Sequence, residues 1–348
     1  MNPGDKAALR LAVGLGVAVL VAYGMAFPVP YVVCVMATLV LSKPGPPLPL
    51  AKGLVVALLF AALVAAGIVM VPLLEHYAFA AVLITAVLLH RIFFFGLTTG
   101  NPLTMVLVLS FTLIPVAGVA EQALVGQLSE TIAVGVTVGV LASTVSHAFF
   151  PDPPAPAAAA GAAALPSTDL ASWIALRATL IVMPVFVLAL TNPSFYLAAV
   201  MKTVAVAQQA GETDARSAGR ELVGSTLMGA AVAAAVWTGL SMWPSLWMLI
   251  LWLMAAALWI GSAMFGVRRT KWRPSFWSNA LITTFLLLGP AIEDSASGKS
   301  VAEGSIMRVC LFVGVALYGW STLRLLERFR PAHSPVAPAL RPQQEETT

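Results

Sequence analysis

Twelve long apolar runs follow one another along this chain, at about 9–26, 29–42, 50–72, 77–95, 102–119, 129–149, 172–190, 195–209, 220–240, 243–262, 276–291 and 303–323. Each is closed by proline, glycine or charge. Most approach the roughly 20 residues that a helix needs to cross a hydrocarbon core of about 30 Å. No water satisfies a bare backbone in lipid, so a spanning segment must close its hydrogen bonds within itself or in a closed barrel. Continuous runs of this length predict an all-α, polytopic membrane protein of about twelve transmembrane helices. The sparse charge excludes a soluble domain: 10% of the 348 residues are charged and 59% are apolar, where a water-facing surface ordinarily needs about 25% charged. Cys34 and Cys310 lie inside apolar runs and are expected as small buried hydrophobes. Lys6 and Arg10 precede the first run as in a secretory signal, but eleven further runs and the Phe27-Pro-Val-Pro30 continuation predict an uncleaved helix.

With an even number of spans both termini share one side. With Lys202 and Arg177, which lie within runs, counted on that side, seventeen of the nineteen Lys and Arg residues fall there, and only Lys299 and Arg308 on the other. The positive-inside rule then expects both termini in the cytoplasm of a bacterial inner-membrane protein. The net charge of +4 is thereby explained as orientation, and nucleic acid is dropped as a partner.

Pro151-Asp-Pro-Pro-Ala-Pro156 and the Ala/Gly tract after it form a low-complexity linker, 151–170, expected in the cytoplasm. It divides the chain into a six-helix unit over 1–150 and another over 171–330, and the polar tail 331–348 is expected to be disordered. The two units repeat one another. Tyr31-Val-Val-Cys-Val-Met-Ala-Thr38 lies over Tyr196-Leu-Ala-Ala-Val-Met-Lys-Thr203 at an offset of 165, sharing Tyr, Val, Met and Thr. Lys52 and Arg220 each open a third span, and Asn101-Pro-Leu and Asn279-Ala-Leu each open a fifth span that ends near proline, Pro115 or Pro290. Units with an even number of spans keep the same orientation, so two parallel six-helix repeats are expected. The second span of each unit is also short and begins after a helix breaker, a pattern that marks substrate sites in transporters.

These features resemble the fusaric acid resistance and aromatic acid exporter family of bacterial inner-membrane proteins. The resemblance rests on Leu9-Arg10-Leu-Ala and Leu176-Arg177-Ala, on the Tyr-x-x-x-x-Met-x-Thr second spans, and on Arg220-Glu-Leu-Val-Gly-Ser-Thr-Leu-Met-Gly229. That last run is similar to the family's Arg-x-x-Gly-Thr-x-x-Gly pattern, with Ser225-Thr226 for a single Thr; its first-half copy is reduced to Lys52-Gly53, and the short linker replaces a large cytoplasmic domain. The resemblance implies proton-coupled efflux of small organic, chiefly aromatic, acids without a cofactor. It also implies a periplasmic membrane-fusion protein as partner.

Lys202 is the sharpest single residue, a charge deep inside an apolar run whose repeat mate is Ala37. A lysine at that depth costs about 2.5–3.5 kcal/mol on insertion scales, so it is expected to face a cavity or a counter-charge. It is a candidate partner for a substrate carboxylate, with snorkelling to the cytoplasmic face as the alternative. Thr203, Thr38, Tyr31 and Tyr196 would add hydroxyls near the same depth or at the mouth, unless they serve packing. Asn101 and Asn279 either cap helices or line an anion site. Arg177 and Arg220 either snorkel or form a cationic funnel. The tryptophans of the second half read as an interfacial belt, with Trp252 set apart in mid-span. Gly135-x-x-x-Gly139 predicts close helix packing. Gly298-Lys-Ser300 lacks the glycine of a phosphate-binding loop, and no His/Cys/Asp grouping has metal-ligand spacing, so an enzyme is not expected. The competing readings are another twelve-helix secondary transporter, or a non-transporting membrane subunit that scaffolds a fusion protein.

Overall fold

The computed structural model describes residues 2–42, 55, 58, 59, 62, 63, 66–100, 104–151, 166–212 and 215–329. Twelve α-helices and one short 3-10 turn cover them, with no strand among the described residues. The helices are α1 (Pro3–Gly24), α2 (Pro30–Leu41), α3 (Met70–His76, entered through the 3-10 turn Gly67–Val69), α4 (Ala78–Thr99), α5 (Thr104–Ala120) and α6 (Gln122–Phe149). The second set is α7 (Thr168–Thr191), α8 (Pro193–Glu212), α9 (Ala215–Met242), α10 (Leu246–Met264), α11 (Pro274–Ala296) and α12 (Val301–Glu327). Eight of the helices are long and apolar enough to cross a membrane. The chain is a polytopic helical membrane protein. Asn101, most of the third apolar run, the linker from 152 to 165 and the tail from 330 lie outside the described residues.

The side-chain pattern is that of a bundle solvated by lipid. Thr38, Thr85, Thr112, Thr131 and Ser225 are buried, while Phe79, Leu83, Val87, Trp247 and Leu251 are exposed. With lipid outside, apolar side chains gain nothing from the interior, and polar ones find partners only there. The spanning segment of α11 is the most interior, 83% buried, and that of α4 the most peripheral, at 28%. α11 touches α2, α8, α9, α10 and α12, while α8 touches α5, α7, α9, α11 and α12. These two helices form the centre of the molecule.

Contacts among helix ends collect the basic residues at one end of the bundle. Lys6 Nζ donates to the Pro151 carbonyl at 2.7 Å. Arg177 pairs with Glu327 across 3.7 Å, and Gly219 packs under the ring of Trp320. The opposite end carries the ion pair of Arg308 with Asp294, at 2.7 Å.

Two expectations change. α2 is short, at 12 residues or about 18 Å, but α8 has 20 residues and reaches about 30 Å, because the helix continues past Gln209 to Glu212. Cys34 is buried as expected, whereas Cys310 faces outward from α12. The Gly135–Gly139 spacing does bring backbones together: a Cβ on either glycine would stand 3.0 Å from the Cα of Val33 or Ala37 on α2.

Glycine sets the approach of α9 to α11 as well, since a Cβ on Gly229 would lie 2.5 Å from the Ala280 carbonyl oxygen, a backbone atom with no rotamer to escape through. Gly229→Ala is therefore expected to destabilise by about 1–3 kcal/mol through overpacking. Gly126→Ala, where nothing lies within 4 Å, gains up to about 1 kcal/mol of helix propensity. Thermal unfolding of the two variants in one detergent measures the difference in sign.

Candidate functional site

Every residue of α8 from Ala198 to Ala207 is buried, and Lys202 stands midway along it, about 15 Å from either end. Its ammonium does not snorkel. Nζ donates to Asn279 Oδ1 at 3.0 Å and to Thr283 Oγ1 at 2.7 Å, both on α11. Asn279 and Thr283 are four apart and so share a helix face. The Thr283 hydroxyl donates its own proton to the Asn279 carbonyl at 2.6 Å, which leaves its oxygen free to accept from the lysine.

The remaining hydrogen bonds all run away from the ammonium. Asn279 Nδ2 donates to Gln209 Oε1 at 2.6 Å and to Ser225 Oγ at 2.8 Å. Gln209 Nε2 then reaches the Glu221 carbonyl at 3.5 Å. Gln209 lies two turns beyond Lys202 on α8, and Ser225 comes from α9, so one face each of α8, α9 and α11 builds the network. Lys202, Ser225 and Thr283 are fully buried, and Asn279 and Gln209 are 3% exposed.

The electrostatics are unusual for a buried cation. Among the described residues no carboxylate pairs with Lys202, and neutral dipoles alone hold it. Two of its three N–H donors are engaged by those residues. A carboxylate is a stronger acceptor for an ammonium than an amide or hydroxyl oxygen. The arrangement therefore stores a cation in a cage that a competing anion can outbid.

Of the residues singled out in the sequence, Lys202 and Asn279 bond to one another. Asn279 lies five residues inside α11, which begins at Pro274, so it caps nothing and turns its amide to the network. Thr203 and Thr38 are buried but return their hydroxyls to their own helices, to Ala199 O at 2.6 Å and Cys34 O at 2.7 Å. Tyr31 is buried with its ring against Gly289, where α2 meets α11. Tyr196 is half-buried, edge-on to Phe195 at 4.8 Å. Arg177 is buried near the basic end beside Glu327. Arg220 is exposed and lines a cavity at the same end. The network is drawn from the second half of the chain.

Sequence reasoning passed over Gln209, Ser225 and Thr283. Ser225 stands inside the Arg220–Gly229 run, and Thr283 follows Asn279 by one turn, so an i, i+4 search from each polar residue of a span would have found both. Gln209 gave the weaker signal of a polar residue at a run's edge. Trp252, the mid-span tryptophan, covers Gly239 where α9 meets α10 and is not in the lining of that cavity.

Residues 7–145 match a family described as "Protein of unknown function (DUF2955)". That stretch covers nearly all of α1 to α6. No curated protein and no solved structure matches the chain.

The network makes a stability prediction that does not depend on function. Asn279→Leu leaves the Lys202 ammonium with Thr283 alone and removes the amide that donates to Gln209 and Ser225, and is expected to cost about 2–4 kcal/mol. Lys202→Met in the same background removes the charge and restores part of that, giving a coupling of about 1.5–3 kcal/mol in a double-mutant cycle read by denaturation in mixed micelles. Strict additivity would mean that the two side chains do not depend on one another.

Proposed function

We propose that the protein is a secondary-active exporter of small organic acids, aromatic ones foremost, across a bacterial inner membrane, driven by the proton gradient and oriented with both termini in the cytoplasm. The observation that carries this reading is the Lys202 ammonium, buried at mid-bundle on neutral oxygens with no carboxylate beside it among the described residues. A membrane subunit that only scaffolds a partner gains nothing from such a cation and pays its desolvation throughout. An exporter uses it: the substrate carboxylate takes the place of Asn279 and Thr283 on Nζ, and the cage reforms when the anion leaves. Lysine also releases its proton at a desolvated site, as arginine does not, so one residue can serve both the anion and the coupling ion.

The helix contacts support the expected parallel repeat. α1 with α2, α1 with α6 and α2 with α6 recur as α7 with α8, α7 with α12 and α8 with α12. α4 with α5 and α5 with α6 recur as α10 with α11 and α11 with α12. The crossings between halves are reciprocal too: α1 with α10 answers α7 with α4, and α2 with α11 answers α8 with α5. Such an arrangement lets one half rock against the other about a central site. The asymmetry lies in the site: Lys202 in α8 faces its polar partners, while α2 has Ala37 at the equivalent place. The resemblance to aromatic acid exporters adds the substrate class and a periplasmic membrane-fusion protein as the expected partner.

The test is efflux of benzoate and related aromatic acids from loaded cells or proteoliposomes. The wild-type chain is expected to accelerate efflux, with the acceleration lost when the proton gradient is collapsed. Lys202→Met, at equal membrane abundance, is expected to lower the rate by at least about tenfold, the loss of a charge-assisted bond to the anion. If the wild type moves no acid of the panel, the exporter reading fails; if Lys202→Met transports normally, the role given to Lys202 fails.

A further inference from the structure

A cavity of about 570 Å³ opens at the basic end of the bundle, between α9, α10, α11 and the turn that joins α10 to α11. Its size falls within the range of about 300–1,000 Å³ usual for small-ligand sites. Arg220, Arg268, Arg269 and Lys271 line it, against the single carboxylate of Glu221. Three tryptophans, Trp259, Trp272 and Trp277, supply its aromatic walls. Trp259 and Trp277 meet edge to face at 5.6 Å. The Arg268 guanidinium lies 4.4 Å from the Trp259 ring centroid and 5.3 Å from that of Trp277. Trp272 stacks on Phe276 at 4.5 Å, which stiffens the third wall.

One detail separates this site from an ordinary interfacial belt. A belt tryptophan leaves its N–H among headgroups and water. Trp277 is only 4% exposed, and its Nε1–H is buried without a hydrogen-bond partner. Buried donors are nearly always satisfied; of the indole N–H groups buried without a partner among the described residues, those of Trp173, Trp252 and Trp277, only that of Trp277 belongs to a side chain in the lining of this cavity. Cations and an unsatisfied donor call for an anion, and the indole walls call for a flat apolar body attached to it.

The cavity ends where the lysine network begins. Trp277 precedes Asn279 by two residues on α11, and Glu221, in the lining, accepts from Gln209 through its carbonyl. We propose that this cavity is a recruitment site for an aromatic carboxylate, with Trp277 Nε1–H and Arg268 recognising the anion before it reaches Lys202. The role in recruitment rests on the exporter reading; the binding itself does not.

The test is equilibrium binding of radiolabelled benzoate to the purified full-length chain in phosphatidylcholine nanodiscs, with transport measured in parallel. Trp277→Phe keeps the ring and deletes the donor, and is expected to weaken binding about tenfold. Arg268→Gln, a change on an exposed turn that leaves the fold intact, is expected to weaken it several-fold. Exchanging part of the phosphatidylcholine for phosphatidylglycerol leaves the affinity unchanged. Wild-type affinity in both Trp277→Phe and Arg268→Gln overturns the site, and so does loss of benzoate binding in the anionic lipid. Binding that behaves as expected in a protein that transports nothing sinks the exporter reading and leaves the site standing.

Discussion

The ammonium of Lys202 is the group around which the interior is arranged. A lysine at the middle of a membrane bundle is tolerated only where polar groups are delivered to it. Here the delivery comes from two other helices: α11 supplies Asn279 and Thr283, and α9 supplies Ser225 to steady Asn279. Those three faces must pack together for the charge to be held, and this accounts for α8 and α11 being central rather than lipid-facing. Small residues make the approach feasible, Gly229 above all, whose backbone lies against that of Ala280.

The cage is polarised in one direction. Protons are donated outward from Nζ through the Asn279 amide to Gln209 and on to a backbone carbonyl. A chain of neutral dipoles with one cation at its head stabilises the charge without cancelling it. A buried ion pair would bind the lysine more tightly and would leave it less available to an arriving anion. At the basic end, the tryptophan-walled cavity abuts the far end of the same network, so the two polar features of the second half are contiguous. At the offset of 165 that aligns the two second spans, Ala37 stands in the first half where Lys202 stands in the second.

Much of the fold was legible because lipid imposes a coarse and strict rule. Apolar runs bounded by breakers became helices nearly one for one, as 129–149 became part of α6 and 303–323 part of α12. Ends were less legible: polar Gln208 and Gln209 suggested that the eighth run stops, yet the helix continues to Glu212, and the Gln209 amide meets the Glu221 carbonyl of α9. Lys202 stood out through the scarcity of charge. Its partners did not, because Asn279, Thr283 and Ser225 are ordinary residues of spanning helices, and only the packing of α9 on α11 makes them a site. The cavity was hidden for a related reason. Trp259, Trp272 and Trp277 sit at the depth of an interfacial belt, and nothing in their spacing tells that they converge.

On the proposed mechanism, the oxygen cage of Lys202 yields its place to a carboxylate during transport. That exchange is tested most directly by structures determined with benzoate bound, in states open to each side of the membrane. A state is expected in which a carboxylate oxygen lies within hydrogen-bond distance of Lys202 Nζ and at least one of the bonds to Asn279 Oδ1 and Thr283 Oγ1 has parted. Structures in which substrate passes through the bundle while Nζ keeps both of those bonds in every state would contradict it.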